Sequence, residues 1–152
     1  MSSVGAFWTL SNPIVCTGFI EALMPNIVIE VCVPNQDCDG LAFPQLEHVS
    51  KFHSLFAKLC GGHAPPVIGP GHYRPSGSEG SNENTIVVKA CLPEVVTEGV
   101  RYQLLAAILS FGEETRQQEV LVIIGGFGHR FKFKVGLQKE EHNSVVPRAK
   151  VA

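Results

Sequence analysis

Charge is scarce in this chain: Asp, Glu, Lys and Arg together supply 17% of the residues. That is too little for a disordered polyelectrolyte or a charge-laced coiled coil. Neither sign dominates. Twelve basic residues against 14 acidic ones leave a formal net charge of −2 at pH 7, so no global basic field draws the protein to nucleic acid or to an anionic membrane. The N-terminus lacks the basic start and long apolar run of a secretory signal. No window offers the roughly 20 apolar residues of a bilayer-spanning helix. The stretch from Ile14 to Met24 is interrupted by Thr17, Gly18 and Glu21 and stops at Pro25. Nothing repeats at solenoid or propeller spacing. The five cysteines are odd in number and read as free thiols of a reducing compartment, so a cytoplasmic protein is expected. A secreted protein with one unpaired thiol is the alternative.

Catalytic signatures are also missing. The sequence has no G-x-S-x-G elbow, no G-x-x-x-x-G-K-[ST] loop, and no G-x-G-x-x-G after its first strand. Serine-hydrolase, NTPase and dinucleotide readings lose their main support. No cofactor is expected.

What is present is a core. Hydrophobic residues make up 45% of the 152 positions, including nine Phe, which is enough for one domain. Ile27–Val33 is β-branched and ends at Pro34, so it reads as a strand. From Pro44 to Cys60 the period changes: Leu46, Val49, Phe52, Phe56 and Leu59 recur at steps of three and four. That predicts a helix starting near Pro44 and stopped by Gly61-Gly62. A short strand is expected within Pro66–Tyr73, interrupted by Gly69-Pro70-Gly71, followed by a loop or wide hairpin tip over Arg74–Asn84. Thr85–Cys91 is a further strand. A second helix covers Glu98–Phe111, with Leu104, Leu105, Ile108 and Phe111 inward and Gly112 as its stop. Glu119–Ile124 is a strand, and the alternation of Arg130–Val135 marks an added edge strand.

This order is the split βαβ pattern of a ferredoxin-like α+β sandwich, with two helices on one face of an antiparallel sheet and an extra C-terminal edge strand. The domain is expected over residues 26–137, between an N-terminal extension (1–25) and a polar C-terminal tail (138–152). Alternation assigns Ile27, Ile29, Val31 and Val33 to the helix side. The opposite face then carries Val28, Glu30, Cys32, Val87, Lys89, Cys91, Leu121 and Ile123. A solvated face would be mainly polar, and this one is mainly apolar. A second copy, the N-terminal extension or a ligand is expected to cover it, which makes a homodimer the expected state.

Glu30 and Lys89 interrupt that face on neighbouring strands. They form either a structural ion pair or a charged pair within a ligand cavity. The expected small-molecule site combines Glu30 and Lys89 with His72 and Tyr73 of the glycine-rich loop, and with Gln118 and Glu119 at the start of the last core strand. No catalytic residue is assigned. The leading function is a self-associating domain that binds a small ligand or protein partner over its open face. The alternative is a cofactor-free enzyme, an isomerase or a monooxygenase-like protein, using the same face.

Metal motifs are incomplete. Asn35-x-Asp37-x-Asp39-Gly40 starts like a calcium loop, but Leu46 stands where the bidentate carboxylate belongs. It reads as an Asx-rich turn. Cys60, His63 and His72 offer zinc ligands without the second pair a structural site needs. His48 and His53 are five apart, on different faces of their helix. No metal is expected. The run Gly126–Phe133 is similar to the RNA-recognition-motif signature, with Arg130, Lys132 and Lys134 placed to meet phosphates. It lies after the last core strand, however, whereas the signature belongs on the third. RNA binding is therefore the third reading, and a Gly-rich hairpin the plain one.

A wider pattern runs from Phe56 and Gly61-Gly62 through Gly71-x-Tyr73 and Glu79 or Glu83 to Gln118-Glu119-Val120. It resembles a small bacterial group without established activity, in which Trp is common at the position of Tyr73. The resemblance implies a ferredoxin-like fold and no specific chemistry.

Overall fold

The computed structural model describes residues 18–73 and 81–133. A short helix α1 (Phe19–Ala22) precedes β1 (Val28–Val33), α2 (Gln45–Cys60), β2 (Val67–Tyr73), β3 (Ser81–Cys91), α3 (Glu98–Glu114), β4 (Glu119–Ile124) and β5 (Phe127–Lys132). The strands form one sheet in the order β2-β3-β1-β4-β5, antiparallel at every pairing. The first four strands and the two long helices make the ferredoxin-like sandwich, and β5 extends it at one edge.

The sheet separates its two sides strictly. Ile29, Val31, Val33, Ile86, Val88, Ala90, Val120, Val122 and Ile124 are buried on the helix side. Their strand neighbours Glu30, Cys32, Val87, Lys89, Leu121 and Ile123 are only half-buried, and Val28 is 43% exposed. No described element covers this outer face. Part of the N-terminal segment instead joins the helix side: Phe19 and Leu23 are fully buried, and Phe19 meets Phe131 edge-on at 4.9 Å.

Both long helices depart from the sequence reading in detail. Leu46 is 71% exposed in the first turn of α2, and His48 takes its place among the buried residues Val49, Phe52 and Phe56. The His48 ring fits between Phe43 and Phe111, edge-on to each. Gly61, with φ of 81°, ends α2 in the left-handed conformation that glycine adopts most readily. Gly112 does not end α3. It lies inside the helix, where its missing side chain leaves room for the ring of Phe133. The helix runs on to Glu114, and Thr115 closes it with a hydroxyl bond to the Phe111 carbonyl at 2.6 Å.

The expected short strand before the loop is a full edge strand, β2, in which Pro70 is tolerated because an edge strand does not need every N–H. β3 begins at Ser81, inside the span expected to be loop. Residues 74–80 of that loop, and the expected tail, lie outside the described residues. Gly125 and Gly126, both at positive φ (58° and 87°), form the two-residue turn between β4 and β5. This is the turn that follows sheet twist.

Candidate functional site

The register places Glu30 directly opposite Lys89, with Val28 opposite Cys91 and Cys32 opposite Val87. On its other side Glu30 faces Ile123 of β4. A carboxylate and an ammonium therefore stand side by side in the middle of a half-buried apolar surface. They do not close an ion pair. The ion pairs among the described residues are Lys51–Glu114, Arg116–Asp39 and Arg130–Glu119. The nearby Cys32 thiol is pushed up to about 11, first by burial and then by the Glu30 carboxylate.

A cavity of about 420 Å³ opens where this face meets the end of α2, lined by Val28, Cys60–Ala64 and Lys89–Cys91. Its origin is local. β2 begins to pair with β3 only at Val67, opposite Val87, so the last part of β3, paired with β1 on one side, has no strand on the other. The connection from α2 spans the gap and touches β3 through one bond, from the Ala64 N–H to the Lys89 carbonyl at 2.9 Å. The backbone of Gly61 and Gly62 lines the cavity, and no atom lies within 4 Å of where a Cβ would project from either.

The His63 ring forms part of the wall and stacks on His53 of α2, at 3.7 Å between centroids and 2° between planes. His63 Nδ1 contacts the Ala64 carbonyl at 3.0 Å. The bond assigns the proton to Nδ1 in the neutral ring. His53 Nε2 is buried without a partner. Burial, and then the neighbouring His63, hold His53 below the ordinary histidine range. The Cys60 thiol is pushed up by burial and by the neighbouring Cys91, so neither influence favours a reactive thiolate at Cys60.

Of the six expected ligand residues, the fold brings together Glu30 and Lys89. His72 pairs with Asn82 and Tyr73 with Ser81. Asn82 is seven residues along β3 from Lys89, a separation of about 23 Å at the usual strand rise. Gln118 and Glu119 lie at the far end of β4, and Glu119 pairs with Arg130 at 3.9 Å. The six positions therefore form no single pocket. The cavity draws instead on Cys60, Gly61, Gly62 and His63, which the sequence offered as a helix stop and an incomplete zinc motif. Long-range closure of that loop onto β3 left no short motif to find.

A second cleft, of about 220 Å³, lies between α2 and α3 and is lined by residues that include His48, Lys51, Phe52 and Glu114. Burial, then Lys51, lowers the His48 pKa. Among the described residues no group of three or more His, Cys, Asp or Glu side chains is placed to hold a metal ion. The Asn35–Gly40 segment is an Asx turn, in which Asp37 Oδ1 accepts from the N–H groups of Asp39 (2.8 Å) and Leu41 (2.9 Å). In the Gly126–Phe133 run, Phe131 is buried on the helix side and the Phe133 ring lies against Gly112 of α3. Neither of these two rings is on the open face to stack a base, and the exposed Phe127 pairs with Ile124 of the helix side.

No helix among the described residues is long and apolar enough to cross a membrane. No protein-family model and no curated protein matches this sequence. Two solved structures share its fold. A phage SAM lyase in complex with S-methyl-5'-thioadenosine superposes with a TM-score of 0.57 at 14% identity, covering 73% of this chain and 92% of that one. A phage SAM lyase in its apo state gives 0.51 at 12% identity, covering 72% and 90%. At these identities the likeness establishes the architecture: this chain is similar in fold to a small domain that has been solved around a nucleoside thioether.

Proposed function

We propose that this chain is a small-molecule-binding domain whose site is the cavity at the end of the open sheet face. The observation that carries the reading is the junction of that cavity with the charged pair. Lys89 belongs to both, so the cavity joins a concave backbone wall to an apolar surface holding a carboxylate and an ammonium. A concave, mostly apolar site with a few polar groups is the usual form of a ligand pocket, and about 420 Å³ falls within the range such pockets occupy. The structural neighbour bound to S-methyl-5'-thioadenosine supports the same reading. We read the rest of the outer face, with Val28, Val87, Leu121 and Ile123, as a surface for self-association.

Calorimetric titration with S-methyl-5'-thioadenosine and with SAM tests the site, alongside native mass spectrometry of freshly purified protein. Saturable binding of either compound, weakened by Val28→Trp or Ala64→Trp across the cavity mouth, is the expected result. If no ligand copurifies and neither compound binds, the cavity reading fails. The lyase neighbours and the Glu30 carboxylate favour one second reading, catalysis on the same face. Conversion of SAM by the wild type, lost in Glu30→Gln, would establish it.

A further inference from the structure

We propose that the cavity receives an anionic group of its ligand, a carboxylate or a phosphate, on the Lys89 ammonium and the backbone N–H groups of Gly62 and His63. The inference rests on the cavity being a ligand site and adds the chemical class of what it takes. Three observations carry it.

The first is the charge inventory. Lys89 is the formal cation of the lining, and no Asp or Glu is among the lining residues. The carboxylate opposite it, Glu30, is a cross-strand neighbour but makes no ion pair with it, so this half-buried lysine has no ion-pair partner within the described residues. Such a group gains more from an incoming anion than a fully solvated lysine does.

The second is the backbone. In the run Gly62–Ala64 only the Ala64 N–H donates within the described residues, to the Lys89 carbonyl. The Gly62 and His63 N–H groups have no such acceptor, and they are consecutive. Runs of free amides are a common means of holding carboxylate and phosphate oxygens.

The third is access. Gly61 and Gly62 carry no side chain, and the space where a Cβ would stand is open, so a ligand oxygen can approach the backbone closely. The negative end of α2 opposes an anion here. That end carries only a fraction of a charge, and Lys58 in the last turn offsets part of it.

The test is a titration of the full chain with sodium phosphate and, separately, sodium acetate, followed by ¹H–¹⁵N correlation spectra at constant ionic strength. S-methyl-5'-thioadenosine serves as the uncharged comparison. Saturable shifts of the Gly62 and His63 amides are expected from at least one anion, and the anion that saturates first identifies the preferred class. Lys89→Met should weaken binding by about tenfold or more, while Lys89→Arg should stay within about threefold of wild type. Spectra of both variants away from the cavity report whether the fold is kept. If chloride produces the same shifts, or if Lys89→Met binds as well as wild type, the inference is overturned. If S-methyl-5'-thioadenosine moves these amides and neither anion does, the anion class is wrong while the cavity remains a ligand site. If none of the three moves them, both readings fall.

Discussion

Gly112→Ala should reverse the usual effect of that substitution. In a helix interior, Ala is ordinarily favoured over Gly by about 0.5–1 kcal/mol. Here the new methyl group would overlap the Phe133 ring, with Cε1 at 2.6 Å, closer than real carbon contacts allow. Either α3 or the ring must move, and the ring is the looser partner. Phe133 is half-buried against the core, so displacing it forfeits about half the worth of a fully buried Phe, roughly 0.8–1.5 kcal/mol. Added strain makes that a lower bound. With that strain added to a burial loss that by itself roughly offsets the helix gain, urea denaturation of Gly112→Ala should show a net loss on the order of 1 kcal/mol. In the Phe133→Ala background the obstacle is gone, and the same substitution should stabilise by about 0.5–1 kcal/mol. The sign change between backgrounds is the diagnostic result. Stabilisation in both would mean that the ring does not rest on the glycine.

Other outcomes can be checked directly. Thr97 caps α3 by accepting from the Val100 N–H at 3.2 Å, so Thr97→Ala should cost about 1 kcal/mol and Thr97→Ser much less. His48 and His53 are both held below the ordinary range, chiefly by burial. The unfolded chain therefore binds protons that the folded chain refuses. Stability should be full above about pH 6.5 and should fall as the pH drops below it, and denaturation midpoints at pH 7.5 and 5.5 should differ less in His53→Gln. Cys32, pushed up to about 11, should react with a maleimide at pH 8 far more slowly than exposed Cys91, as peptide mass spectrometry would resolve. Light scattering behind a sizing column should show a self-associated species that Ile123→Lys dissociates; a wild-type monomer at high concentration would refute the self-association reading.

The architecture was legible because each element announces itself locally. The β-branched run 27–33, the three-four spacing of Val49, Phe52 and Phe56, and the continuous apolar run 120–124 are short-range patterns, and burial follows the strand and helix periods they imply. Errors arose where a distant partner decides. Leu46 fits the helical stripe on paper, but its turn projects into solvent and His48 finds two rings. Gly112 resembles a helix stop because the chain segment that fills its space arrives 21 residues later. The pairing of Glu30 with Lys89 could be inferred, since the fold fixes which strands adjoin. The position of His72 and Tyr73 could not, because it depends on how far the β2–β3 ladder runs, and residue types between those strands do not reveal the register.

That ladder bears on why a cavity exists at all. Carried two residues further, the pairing would set Pro66 and Pro65 against Val88 and Lys89. Pro70 alone can turn its missing N–H away from β3, but two adjacent prolines cannot both do so, and the zipper stalls there. The opening is thus held by two imino acids rather than by the residues that line it. Replacing Pro65 and Pro66 with Thr and Val would let β2 lengthen along β3 and draw the Gly61–Ala64 segment inward, removing the cavity without altering a single side chain of its wall. In an engineered scaffold of this type, pocket size becomes a matter of where a strand is permitted to stop.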